Sequence, residues 1–398
     1  MVSNTILVTL TMTLQEDLKQ RTRRLAAMLE EAEAAVIATP VNIFYLTGRI
    51  INGYVYIDGS ANRLVFLRRP LGINETGYHY IRKVEQIPDL LREYGIRVPE
   101  KLLLETDELP YNDCMRICKA FGCEKPGNAT KALRSLRSIK SEYEIGLLRQ
   151  SARLQSEALA EIPALFKPGM TDHELCVECE RLFRMKGCLG LFRTYGTDME
   201  GFMGSLLAGD NADTPSPYDF ALGGAGMHPS LPLGDNGTAL HEGIAVMVDI
   251  NGNFNGYIAD QSRTFSVGRL PDEAYRAHEV SLSIHHSISE IAKEGTVCED
   301  LYALALDIAE KNGLKDRFMG HRQQAKFVGH GIGLQINELP VLCAKNTSCL
   351  QQGNVIAIEP KFIIDGVGAV GIENSYAVNA DGLEKLTTAE ENILQLGR

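Results

Sequence analysis

The chain reads as a small α/β domain, residues 12–130, followed by a larger α+β domain, residues 131–398, built of two similar halves. Three observations carry this reading. Over the first part, short apolar runs alternate with amphipathic helical patterns, the rhythm of an α/β layer structure. A basic break, Arg-Ser-Leu-Arg-Ser-Ile-Lys ending at Lys140, leads straight into a helix-start signature at Ser141–Glu144. Beyond it, the order Lys-x-Gly, Thr, Glu, apolar helix occurs twice, from Lys167 and from Lys293. Each copy is followed downstream by a Gly-rich segment that reads as strand, Gly223–Gly226 and Gly329–Gly333. At 398 residues the chain is also long for one core.

Taken in order, Leu14–Glu33 predicts a helix, with Leu14, Leu18, Leu25, Met28 and Leu29 on one face. Ala34–Ala38 is a short apolar strand ended by Pro40, and Asn42–Gly48, N-I-F-Y-L-T-G, is a turn into a second apolar segment. Strands follow at Tyr54–Ile57, Leu64–Leu67 and Lys101–Leu104, with a helix over Val84–Tyr94. Lys131–Lys140 reads as a linker. A long helix capped by Ser141 and Glu144 runs to about Ile162, and further capping boxes are expected at Thr171–Glu174 and Thr296–Glu299.

Hydrophobic residues make up 44% and charged residues 23%, as in ordinary globular proteins. The net charge of -11 leaves no broad basic surface, which excludes nucleic acid and anionic membranes as general partners. No run approaches the ~20 apolar residues of a membrane-spanning helix. The start, with I-L-V-T-L-T-M ending at Met12, lacks the basic region and cleavage pattern of a secretory signal, and Met12 is an alternative start. Nine cysteines without framework spacing suit a reducing, cytoplasmic setting, and Cys176 with Cys179 reads as a packed thiol pair.

The chemistry lies in the last third. Asp249 closes the apolar run Ile244–Val248, and Asp260 lies past the turn Gly252-Asn253-Phe254-Asn255-Gly256, so a strand, turn and returning strand set the two carboxylates side by side. Glu359 and Glu373 end the apolar runs Val355–Ile358 and Ala369–Ile372, joined through the turn signal Asp365-Gly366. A carboxylate at such a position is costly if buried without a partner. Between the pairs, His330 stands in G-H-G-I-G-L, where flanking glycines permit close backbone approach. His285 and His286 fall in a helical pattern and read as packed or surface residues. Four carboxylates and one imidazole are mostly hard donors, suited to manganese, cobalt or zinc, and their charge matches two divalent ions.

The order D-x(10)-D, G-H-G-I-G, I-E-P, G-I-E resembles the "pita-bread" metallopeptidase family of methionine aminopeptidase, Xaa-Pro aminopeptidase and prolidase, with creatinase as a metal-free relative. N-I-F-Y-L-T-G and R-S-I-K-S-E-Y-E-I are similar to the prolidase, aminopeptidase P and creatinase branch, which carries an extra N-terminal domain. The resemblance implies a creatinase-like N-terminal domain, a pita-bread catalytic domain with pseudo-twofold halves, two divalent ions (manganese first, then cobalt or zinc), short peptide substrates and a homodimer. It implies that Asp249 ligates one ion, His330 and Glu359 the other, and that Asp260 and Glu373 bridge them. Glu359 would also move a proton, and His228, in G-M-H-P-S, would serve as a substrate-side histidine; Ser262, two residues beyond Asp260, reads either as a hydrogen-bonding support for a ligand or as a plain strand-surface serine.

Two departures stand out. The family commonly continues G-H-G-I-G-L-x-x-H-E-x-P, whereas this chain reads G-H-G-I-G-L-Q-I-N-E-L-P, with Asn337 at the second histidine's place. Asn337 can donate a hydrogen bond to substrate but cannot titrate. Gly371 stands where aminopeptidase P relatives often carry arginine. The expected activity is cleavage of Xaa-Pro bonds, as aminopeptidase or dipeptidase. The rivals are a creatinase-like or lyase-like enzyme on a small non-peptide substrate, and a non-catalytic peptide-binding relative.

Overall fold

A computed structural model describes residues 12–30, 32–196, 199 and 201–397. The N-terminal stretch up to residue 11, with its apolar run, lies outside the described residues. Two compact units divide between Arg137 and Ser138.

In the first unit the helix Leu14–Ala26 starts at a reciprocal capping box of Thr13 and Glu16 and stops about two turns short of the expected end at Glu33. Six strands form one mixed sheet in the order Tyr78–Tyr80, Arg63–Leu67, Gly53–Asp58, Glu33–Ile37, Lys101–Leu104, Gly127–Asn128. The strand Glu33–Ile37 ends before Pro40 as expected, but Pro40 does not lead into a turn. It opens a helix, Pro40–Thr47, because proline at the first helical position lacks only an N–H that is unpaired there anyway, and Gly48 closes it at φ 71°. The segment read as a linker is also helical, Thr130–Ser138, with Leu133 and Leu136 buried.

The second unit repeats one plan twice. The helices Glu142–Glu161 and Asp172–Met185 precede a four-stranded sheet ordered Leu394–Gln395, Arg263–Ser266, Ala245–Ile250, Gly204–Ala208. The helices Asp272–Ile291 and Cys298–Lys311 precede a five-stranded sheet ordered Glu338–Cys343, Phe327–Gly331, Val355–Ile358, Asn374–Val378, Leu383–Lys385. Ser141 and Thr171 form the expected capping boxes. Thr296 does not: Val297 is the N-cap, and the Thr296 hydroxyl donates to the Ile291 carbonyl, closing the preceding helix instead. The orphan N–H groups of Cys298 and Glu299 go to the carbonyls of Ser348 and Asn346. Gly223–Gly226 is irregular rather than strand. Cys176 and Cys179 are free thiols packed in the core of the first half, and burial pushes both thiols up.

Candidate metal centre

Asp249 lies near the end of the strand Ala245–Ile250, and Asp260 directly follows Ile258–Ala259, which pairs back onto Gly252–Asn253. The expected turn therefore exists. Glu359 and Glu373 are brought together by register. Ile358 pairs with Asn374 on one side and Lys361 with Gly371 on the other, so the two glutamates stand opposite each other at the junction of two antiparallel ladders. The first of these ladders uses Asn374–Val378, a strand not anticipated from the sequence.

His330 sits mid-strand between Val341 and Ala357. The glycines beside it are a packing necessity. A Cβ on Gly329 would lie 2.2 Å from the Ala357 carbonyl oxygen, and one on Gly331 would lie 2.1 Å from that of Leu339. The ring turns Nδ1 to the Gly331 carbonyl at 3.2 Å and Nε2 to Glu359 Oε1 at 3.3 Å and Asp260 Oδ2 at 3.9 Å. All five predicted ligands therefore converge, in two overlapping groups, Asp260 with His330 and Glu373, and Asp249 with Glu359 and Glu373.

A sixth residue lies among them. Lys361 is fully buried, and its ammonium donates to Glu359 Oε2 at 2.7 Å, Asp249 Oδ2 at 2.9 Å and Glu373 Oε2 at 3.4 Å. Burial alone would push the ammonium pKa down, but these carboxylates hold it well above the usual lysine range. Burial would likewise raise Glu359, yet Lys361 and His330 outweigh it and bring its carboxyl to about 2. Glu373 and Asp260 behave oppositely. Burial, then the neighbouring carboxylates, pushes them well above the ordinary range, because Lys361, at 3.4 Å from Glu373 and acting on Asp260 through its charge alone, offsets this only in part. For His330, burial lowers basicity, but contact with Glu359 raises it.

The supporting residues are equally specific. Arg263, buried, donates to the carbonyls of Ser262, Glu373, Glu390 and Ala389 and to Asn374 Oδ1, clamping the backbone under Glu373. Ser262 contributes its carbonyl, which accepts the Glu373 N–H at 3.2 Å; its hydroxyl is buried without a partner among the described residues. Glu338 accepts the N–H groups of Leu334 and Gln335 and pairs with buried Lys140 at 3.1 Å, shaping the loop after His330.

The other two candidate residues stand apart. His228 is exposed, with its Nδ1 on Ser230 at 2.8 Å, and no described contact joins it to the five. The Asn337 amide faces Tyr195, whose N–H donates to Oδ1 at 2.7 Å and whose carbonyl accepts from Nδ2 at 2.9 Å. Gly371 has φ 128° and a would-be Cβ 2.4 Å from the Pro360 carbonyl oxygen, so no arginine side chain fits there without backbone movement.

Residues 146–380 match the sequence profile of metallopeptidase family M24. The chain belongs to that family. Residues 21–139 of this M24 peptidase match the creatinase/prolidase N-terminal domain. It is 24% identical over 388 residues to an Xaa-Pro dipeptidase of Pyrococcus furiosus, covering 95% of this chain and 100% of the relative. It is 27% identical over 373 residues to an uncharacterized peptidase of Staphylococcus haemolyticus, covering 90% and 95%. Its fold matches an Xaa-Pro dipeptidase from Bacillus anthracis with a TM-score of 0.77 at 21% identity, over 95% of this chain and all of that one. The expected architecture, a creatinase-like N-terminal domain before a pita-bread catalytic domain, is thereby established.

The M24 peptidase's donors fit a metal unevenly. Asp260, His330 and Glu373 offer two carboxylates and an imidazole with ligand atoms within 4.8 Å of one another, a sound set for one divalent ion. The set of Asp249, Glu359 and Glu373 is equally compact, but its oxygens already receive the Lys361 ammonium. Lys361 was not anticipated. The available signal was its spacing, since residues two apart on an extended chain share a face and Lys361 follows Glu359 by two.

Proposed function

We propose that this M24 peptidase hydrolyses Xaa-Pro bonds of short peptides, as an aminopeptidase or dipeptidase. The observation that carries the reading is the convergence of Asp249 and His330, on strands of the two sheets, with Asp260, Glu359 and Glu373 beside strand ends. When bound, a divalent ion supplies polarisation of the scissile carbonyl and acidification of water. Manganese is the first choice for so oxygen-rich a set, with cobalt and zinc also accommodated.

The chain's own residues do the rest. His330 presents Nε2 because its Nδ1 is occupied by the Gly331 carbonyl. In this reading Glu359, held ionised between His330 and Lys361, takes the proton of an attacking water and returns it to the leaving amine, a role its contacts support. A cavity of about 340 Å³ opens beside Phe327, whose ring meets that of His330 at 6.0 Å, and Tyr218, Phe220 and Leu222 give it apolar walls for a short substrate.

Nine free cysteines support a cytoplasmic location, and no helix among the described residues is long and apolar enough to cross a membrane. The homodimer rests on family resemblance. A second reading, a small non-peptide substrate, is favoured by the pairing of Asn337 with the Tyr195 backbone, where relatives commonly keep a histidine for substrate. A metal-reconstituted assay with matched Xaa-Pro dipeptides and Xaa-Pro-Yaa tripeptides decides. Release of the N-terminal residue from either set supports the first reading, and a blank on both removes it.

A further inference from the structure

The five-residue constellation invites two metal ions, but Lys361 alters what it can hold. Its ammonium carries three N–H donors and no acceptor. Three carboxylates, from Asp249, Glu359 and Glu373, lie at 2.9, 2.7 and 3.4 Å from it. This tripod uses the same oxygens that would ligate a second ion. A divalent ion at bonding distance from them, about 2.0–2.2 Å, would sit against the ammonium within one small cage. The lysine is also built in. Its side chain is fully buried, its strand pairs in register with Gly368–Gly371, and the partner at its own position, Gly371, leaves the neighbouring backbone no slack for a shift.

We propose that Lys361 is a resident cation occupying one of the two metal positions, so that this M24 peptidase binds a single divalent ion, at Asp260, His330 and Glu373. The proposal rests on the reading of the five residues as a metal centre and deepens it. Asp249 then serves to hold the ammonium, not an ion. Lys361 is a positioning residue, setting the orientation of Glu359 and of the free Glu373 oxygen.

The test is the stoichiometry and spectrum of manganese bound to the full-length protein, stripped with chelator and titrated by calorimetry and electron paramagnetic resonance. Wild type is expected to take one ion per chain and give an uncoupled Mn(II) signal, whereas Lys361→Met takes two and gives an exchange-coupled signal. Two ions in wild type overturn the proposal while leaving the functional reading intact. One ion in both proteins also overturns it. No ion in either protein overturns the metal-centre reading itself, and the proposal with it. Should Lys361→Met fail to fold, two further variants decide. Asp249→Asn is expected to keep the single ion and Asp260→Asn to lose it; loss of the ion in Asp249→Asn, or its retention in Asp260→Asn, overturns the assignment.

Discussion

The Ser375 hydroxyl accepts the Asp260 N–H at 3.0 Å and donates back to the Asp260 carbonyl at 2.6 Å. One buried side chain thus satisfies both backbone groups of a candidate ligand that follows a two-residue strand and has little ladder of its own. Ser375→Ala leaves a buried donor and acceptor unpaired, which costs about 1–3 kcal/mol. The expected outcome is a lower urea midpoint together with weaker manganese binding. Unchanged affinity would show that Asp260 is held by other means.

Gly329 approaches the Ala357 carbonyl so closely that a methyl group would fall 2.2 Å from the oxygen. Backbone atoms cannot swing aside as a long side chain can. Gly329→Ala is therefore expected to separate the strands carrying His330 and Glu359 and to destabilise the fold by about 1–3 kcal/mol or more. Thermal unfolding measures the loss, and metal titration should show it extending to the centre.

Asn337 bridges both backbone groups of Tyr195, while Gln335 Nε2 and the Ile336 N–H reach the carbonyls of Thr194 and Arg193. The residue expected from its motif position to face substrate instead fastens a neighbouring loop. Asn337→Ala should speed amide exchange across residues 191–196 by roughly five- to tenfold, the equivalent of about 1 kcal/mol of lost hydrogen bonding. Mass spectrometry of that peptide reports it. Exchange at the wild-type rate would return Asn337 to the substrate side.

His285 is buried between the Tyr376 hydroxyl at 3.0 Å and the Ile372 carbonyl at 3.2 Å, and burial pushes it from its ordinary 6.5 down to about 4. The unfolded chain therefore takes up a proton at a pH where the folded one resists it. Above pH 6.5 the ring is neutral in both states and has no effect. Stability is lost as pH falls from 6.5 to about 4, by roughly 3 kcal/mol from this group. His285→Gln should flatten the wild-type slope over that window when unfolding free energy is measured against pH. An unchanged slope would assign the acid sensitivity elsewhere.

Much of this was legible before any coordinates. The reciprocal pairs Thr171 with Glu174 and Ser141 with Glu144 are local codes, and they form as read. Thr296 with Glu299 has the same spelling yet fails, because the 346–349 segment supplies carbonyls to that helix start and frees the threonine for the previous helix end. Asn42–Gly48 misled for a related reason: Pro40 ends the strand as read, but proline also begins helices, and only the packing of the chain after it makes that segment helical.

Composition, turn chemistry and motif order by themselves determined that Asp249, Asp260, His330, Glu359 and Glu373 belong together, because carboxylates at the ends of apolar runs must find a common partner when buried. They also determined the two-part architecture. Tertiary structure decided what occupies the centre. Lys361 begins an apolar strand beside a proline, and its spacing of two from Glu359 sets both on one face without saying whether that face is buried. The register that sets Glu359 opposite Glu373, and the packing that leaves Gly371 no room for a side chain, turn its ammonium inward. A cation in a cage of carboxylates is a property of three strands meeting, which no single stretch of sequence contains.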